Sequence, residues 1–207
     1  MTRVGVLRPE PGNAATAARL IAAGLTPVRL PLFEVRACDW TPPDPAQFDA
    51  LLVTSANAIR HGGAGLAALH SLPVRAVGEA TATAARAAGF RVESVGTGGV
   101  ADVPRHGRLL HLAGREHHAL PGVETVVVYA SDPLTPDLAP LAGAIALVHS
   151  PRAAARLAAL VTARATITLA AISPAAAAAA GTGWRHVAVA ARPSDAALVA
   201  LAAVLHD

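Results

Sequence analysis

Leu51-Leu52-Val53-Thr54-Ser55-Ala56-Asn57-Ala58 reads as a short apolar strand that ends on two hydroxyls and turns into a helix. Ala146-Leu147-Val148-His149-Ser150-Pro151-Arg152-Ala153 repeats that pattern. A second pair follows: Val74-Arg75-Ala76-Val77-Gly78-Glu79-Ala80-Thr81-Ala82 resembles Leu169-Ala170-Ala171-Ile172-Ser173-Pro174-Ala175-Ala176-Ala177. Ser55 and Ser150 are 95 positions apart, as are Gly78 and Ser173, and two matches at one offset imply a duplication. In an alanine-rich chain the alanine identities count for little, so the argument rests on the order strand-Ser-helix and strand-turn-helix. A period that encloses two strand-helix units makes each copy part of a lobe and not a solenoid repeat.

Outward from these segments, β-branched runs alternate with alanine-rich ones along the whole chain, the pattern of parallel sheets covered by helices. Strands are predicted at Val4 to Leu7, Thr26 to Leu30, Ala50 to Thr54, Val74 to Val77, Arg91 to Val95 and Leu109 to Leu112. Four more are predicted at Thr125 to Val128, Ile145 to His149, Thr166 to Ile172 and His186 to Ala190. Helices are predicted to begin near Asn13, Ala56, Glu79, His117, Pro151, Pro174 and Asp195, with Asn13 capping the first. The expected fold class is α/β, in two lobes, each a parallel sheet flanked by helices, with the active cleft between them.

Composition removes several function classes. A hydrophobic share of 53% against 15% charged residues excludes a disordered chain. All 17 basic residues are arginine, so lysine Schiff-base chemistry and a Walker-type phosphate loop are unavailable, while planar carboxylates or phosphates are natural partners. The net charge is only +3 and the arginines are dispersed, which argues against nucleic acid as a partner. Cys38 stands alone and neither CxxC nor HExxH occurs, so no metal site and no disulfide are expected, and a reducing cytoplasm fits. Met1 to Pro9 lacks the apolar core of a signal peptide, and the longest apolar run, Ala165 to Ala180, is broken by Thr166, Thr168, Ser173 and Pro174; neither export nor a membrane span is expected.

Chemistry is sought beyond the carboxyl ends of the strands, where first-turn N–H groups of helices attract anions. Those positions hold Leu7-Arg8-Pro9, Thr54-Ser55-Ala56, Gly78-Glu79-Ala80-Thr81, His149-Ser150-Pro151 and Ser173-Pro174-Ala175. Ser55, Ser150 and Thr81 are equally explained as helix caps. Tyr129, the only tyrosine, follows an apolar strand and offers a phenol that donates a proton or a hydrogen bond. His117-His118 is a poor metal pair, since neighbours on a helix point apart. Gly96-Thr97-Gly98-Gly99 lacks the dinucleotide-binding spacing.

Taken in order, Leu7-Arg8-Pro9, Leu30-Pro31-Leu32, Leu52 to Ala58, Ala76 to Ala82, Val127-Val128-Tyr129, His149-Ser150-Pro151, Ala171-Ile172-Ser173-Pro174 and Arg192-Pro193-Ser194 resemble the uroporphyrinogen-III synthase family. The resemblance implies a cofactor-free, cytoplasmic lyase of tetrapyrrole and heme biosynthesis, expected as a monomer. Its reaction would cyclise hydroxymethylbilane to uroporphyrinogen III with inversion of the D ring through a spirocyclic intermediate. It implies a discontinuous lobe at 1–33 and 132–207, an inserted lobe at 38–125, and a two-stranded ladder at 32–35 and 126–131. It assigns assistance to the departing hydroxyl to Tyr129, and substrate binding to Arg8, Thr54, Ser55, Ala56, Gly78, Glu79, Thr81, Arg115, Ser150 and Ser173. The chain departs from the family pattern at Leu7 and His149, each in a place commonly held by a hydroxyl residue, and at Ala175-Ala176, where two threonines are usual. A non-catalytic tetrapyrrole or anion sensor on the same fold is the alternative those losses suggest.

Overall fold

The computed structural model describes residues 3–96 and 102–206; Thr97, Gly98 and Gly99 of the glycine-rich stretch lie outside the described residues. The chain divides into two compact units, unit 1 comprising Met1–Glu34 and Pro133–Asp207, and unit 2 comprising Val35–Asp132.

The sheet of unit 1 uses β1 (Arg3–Val6), β2 (Thr26–Arg29), β9 (Ile145–Val148), β10 (Thr168–Ala171) and β11 (His186–Val189) in the order β11-β10-β9-β1-β2. Every neighbouring pair is parallel. Parallel strands are covered on both faces, so central β9 is apolar at every position and buried throughout. On one face α4 (Pro151–Leu160) and α5 (Pro174–Ala180) pack Ala153, Leu157 and Ala176 against Ala146, Val148 and Leu169. On the other, α1 (Gly12–Ala22) and α6 (Asp195–His206) place Leu20, Leu198 and Ala202 on Val4, Val6, Ile145 and Leu147. Pro27 is tolerated in β2 because that strand is at the edge, where one side of the backbone needs no ladder bond.

Unit 2 carries β4 (Ala50–Val53), β5 (Val74–Val77), β6 (Val92–Gly96) and β7 (Leu109–Gly114), with β3 (Phe33–Ala37) and β8 (Glu124–Pro133) completing the order β3-β8-β7-β4-β5-β6. The pairs from β8 to β6 are parallel. The β3–β8 pair is antiparallel: Leu134 N–H donates to the Leu32 carbonyl and Cys38 N–H to that of Val128, one number rising as the other falls. Along β4 the side chains alternate. Leu51 and Val53 meet Ala58, Ile59, Ala82 and Ala85 from α2 (Ala56–His61) and α3 (Glu79–Ala87), whereas Ala50 and Leu52 meet Val103, Leu120 and Val123 from connecting segments.

The repeat reappears as geometry. Leu51 pairs with Val74 in unit 2, and 95 positions later Ala146 pairs with Leu169 in unit 1. The paired strands feed α2 and α3 in one unit and α4 and α5 in the other.

Two local expectations fail. No helix begins at His117, because only residues 115–123 separate parallel β7 from β8 and the His117 ring closes a turn onto the Gly114 carbonyl instead. Nor does Asn13 cap α1: Pro11 holds the N-cap position, and Asn13, fully buried within the first turn, donates to the Val6 and Arg8 carbonyls and accepts from Arg29 Nε.

Candidate active site

In unit 2, β4 and β7 are parallel and adjacent, so Thr54 and Gly114 emerge at the same, carboxyl edge of the sheet. A pocket of about 350 Å³ opens there, lined by Thr54, Ser55, Val77 and Tyr129 and by the β7 end and following loop: His111, Gly114, Glu116, His117, His118 and Leu120. Three predicted site residues, Thr54, Ser55 and Tyr129, are thereby brought to one cavity.

Ser55 is the N-cap of α2, its Oγ accepting from Asn57 N–H at 3.2 Å. Thr54 Oγ1 lies 3.0 Å from His111 Nε2. His111 is 2% exposed, and burial, reinforced by the charge of His117, pushes its pKa down to about 4, so the ring is neutral at pH 7. Its Nδ1 is buried without a hydrogen-bond partner. The His117 ring stands edge-on to it, with centroids 5.9 Å apart, and hydrogen-bonds the Gly114 carbonyl through Nδ1 at 2.9 Å. A carbonyl only accepts, so that nitrogen carries a proton and Nε2 is the ring's other polar atom.

Tyr129 lies on Gly114, where an added Cβ would stand 2.6 Å from the phenol Cζ and 2.8 Å from its oxygen. Its backbone carbonyl accepts from Arg115 N–H, and His61, its pKa lowered by burial and then by Arg60, stands 6.5 Å away ring to ring. The cavity thus combines hydroxyl donors, a phenol and imidazoles, able to hold carboxylates and to hand over a proton, with one carboxylate of its own, Glu116.

The model of the uroporphyrinogen-III synthase HemD family matches residues 14–200. The chain belongs to the uroporphyrinogen-III synthase family. Two solved structures share its fold over nearly the full length. The uroporphyrinogen-III synthetase of Helicobacter pylori 26695 is 19% identical, with 99% of each chain covered and a TM-score of 0.69. A mutant uroporphyrinogen III synthase of the extremely thermophilic bacterium Thermus thermophilus is 15% identical, with 100% of each chain covered and a TM-score of 0.57. No curated protein sequence matches this chain.

The other residues that family resemblance singles out lie outside the pocket lining. Ala56 begins α2 and is buried. Gly78 is the N-cap of α3 with a φ of 86°, a conformation that glycine adopts without steric cost; it has no side chain to occupy the first-turn N–H groups. Glu79 is exposed and paired with Arg86 at 2.6 Å, and Thr81 is buried in the first turn. Arg115 reaches Asp132 at 3.2 Å and Cys38 Sγ at 3.8 Å.

In unit 1, Ser150 and Ser173 are N-caps, accepting from Ala153 and Ala176 N–H at 3.1 and 3.3 Å. Arg8 is held by Asp195 at 3.4 Å, and the same carboxylate takes Thr16 at 2.6 Å, Arg19 at 2.6 Å and His149 Nε2 at 2.8 Å. Burial alone would raise the Asp195 pKa, but the hydrogen bonds from His149 and Thr16 and the charges of His149 and Arg8 outweigh it and hold the carboxyl well below the usual range. Among the described residues no group of three His, Cys, Asp or Glu is arranged to hold a metal.

Sequence reasoning misses His111, Gly114 and Glu116, and places His117 and His118 on a helix that does not form. A histidine inside the apolar run Leu109 to Ala113 is the available signal for the first.

Proposed function

We propose that this chain is a lyase that closes hydroxymethylbilane to uroporphyrinogen III, inverting the D ring through a spirocyclic intermediate. What carries the reading is the placement of Tyr129 in one pocket with Thr54 and Ser55, in a chain that belongs to this family. The Tyr129 phenol gives its proton to the departing hydroxyl; the C–O bond breaks with its electron pair on oxygen, water leaves, and the pyrrole nitrogen supplies electrons to the resulting azafulvenium carbon. Ring D then attacks through its substituted carbon, the spirocycle fragments and recloses, and a final carbon-bound proton is lost. The sum is loss of one water with no change of oxidation state, so the reaction calls on no redox cofactor.

The bilane carries acetate and propionate groups. Hydroxyls and first-turn backbone N–H groups are apt partners for them, which supports Thr54, Ser55 and Ala56, then Gly78, Glu79 and Thr81, as substrate contacts in unit 2. Glu79 contributes through its N–H and not its carboxylate. Arg115 of the same unit, and Arg8, Ser150 and Ser173 of unit 1, are proposed to bind carboxylates by the same chemistry. The enzyme is taken as a cytoplasmic monomer, to be checked by sedimentation. No helix among the described residues is long and apolar enough to cross a membrane.

The test is to supply freshly generated hydroxymethylbilane, oxidise the products and separate the type I and type III isomers by chromatography. Type III is the expected product; only type I, the spontaneous isomer, at high protein concentration removes the enzyme reading.

A further inference from the structure

We infer that His111 is a positioning residue for carboxylate recognition: its Nε2–H donates to Thr54 Oγ1 and thereby turns the Thr54 hydroxyl hydrogen into the pocket, as a fixed donor for an ionised carboxylate of the ligand. The inference rests on the proposed tetrapyrrole polycarboxylate as occupant of this pocket.

The direction of the Thr54–His111 bond follows from an accounting of hydrogens. A neutral imidazole carries one N–H, and Nδ1 of His111 is buried with no partner. Were Thr54 to donate to Nε2, the ring hydrogen would sit on Nδ1 as an orphaned buried donor, a rarer and costlier arrangement than an unused acceptor. With the hydrogen on Nε2, the ring donates to Thr54 at 3.0 Å and leaves only a bare lone pair at Nδ1. Protonation of the ring would restore the orphaned donor and add a buried charge, and burial together with the adjacent His117 opposes it.

Consequences for Thr54 are direct. A hydroxyl has one hydrogen and two lone pairs; His111 occupies a lone pair, and the hydrogen has no acceptor among the described residues. Thr54 lines the pocket, and so does His111. Without a donor behind it the hydroxyl would rotate freely and lose part of its interaction to ordering; with it, the hydrogen is pre-aimed. Discrimination follows too. A hydroxyl committed as a donor favours an ionised carboxylate over an amide or ester in the same place, because those accept more weakly.

The experiment compares wild type with His111→Leu, His111→Gln, Thr54→Val and the Leu/Val double variant. Affinity for uroporphyrin III, an octacarboxylate, is measured by fluorescence titration, and KM and kcat for hydroxymethylbilane by initial rates. Thermal unfolding confirms that each variant folds. His111→Leu and Thr54→Val are each expected to weaken porphyrin binding and raise KM about tenfold, the worth of one hydrogen bond to a charged group, with kcat nearly unchanged. The double variant should be no weaker than Thr54→Val, since His111 acts through that hydroxyl. His111→Gln, whose amide nitrogen lies at similar reach, should recover most of the loss; His111→Met, which likewise cannot donate a hydrogen bond, takes the place of the leucine variant if that one does not fold. Wild-type affinity in His111→Leu, multiplying losses in the double variant, no recovery with Gln, or no porphyrin binding by wild type overturns the inference. Type I product alone from wild type, together with these binding losses in the variants, overturns the enzyme reading and leaves the role of His111 standing.

Discussion

Residue 114 has no side chain, and the Tyr129 ring occupies the space a methyl group would need, with the phenol oxygen 2.8 Å from that position. Gly114→Ala therefore displaces the phenol without forcing the backbone, since Gly114 is not among the glycines with positive φ. If Tyr129 delivers the proton that releases water, Tyr129→Phe should lower kcat by about tenfold or more with the fold retained, short of the full range of general-acid effects. Gly114→Ala should lower it at least as far, with an unaltered circular dichroism spectrum. Initial rates of type III formation measure both. An unchanged rate for Tyr129→Phe removes the tyrosine from the mechanism, and an unchanged rate for Gly114→Ala removes the requirement for its present position.

At the scale of elements, the strand-helix junctions show what is legible in the sequence. β4 and β9 are short apolar runs, each followed by a serine whose Oγ caps the next helix, and both signals are local, so the sequence displays them directly. Ser150→Ala should cost about 1 kcal/mol of unit 1 stability, as cap losses commonly do, readable as a lowered urea midpoint. Pocket residues are less legible because pairing between strands brings them together: His111 stands beside Thr54 only through the parallel β4–β7 register, in which Leu52 aligns with it. Asn13 has the sequence signature of a cap and is a buried bracket, because its amide satisfies two carbonyls at the end of β1 that a cap would not reach. Arg75 carries no sequence signal of its role inside an apolar strand. It is 4% exposed, donates to Glu93 at 2.7 Å and fastens the Pro104 and His106 carbonyls, securing the segment that covers Ala50 and Leu52. Arg75→Ala leaves those carbonyls unpaired, and Glu93, half-exposed, keeps access to water. A loss of about 3 kcal/mol in unit 2 is expected in urea unfolding.

For the whole molecule the two units should respond differently to acid, because their perturbed groups shift stability in different pH windows. In unit 2, His111 binds its proton at about 4 when folded and at the ordinary 6.5 when unfolded, and the lowered His61 acts in the same direction. Between those values the unfolded chain holds more protons, so the His111 contribution to stability falls as pH drops from 6.5 to 4 and then levels off. At about 1.4 kcal/mol per unit the His111 contribution stays below about 4 kcal/mol. In unit 1, Asp195 is held below the carboxylate range, against the effect of its burial, by His149, Thr16 and Arg8. Its stabilisation is present above the unfolded carboxylate pKa and is lost only as pH falls below it. Each unit carries its own reporter, Trp40 bonded to the Gly62 carbonyl in unit 2 and Trp184 to that of Ala180 in unit 1. In a Trp184→Phe protein, urea unfolding followed by Trp40 fluorescence should show free energy falling from pH 6.5 downward, and His111→Leu should flatten that slope. In a Trp40→Phe protein, the Trp184 signal should hold to about pH 4, in the ordinary carboxylate range, before it weakens. Identical pH profiles from the two reporters would show that the units unfold as one and would remove this assignment of the acid response to separate groups.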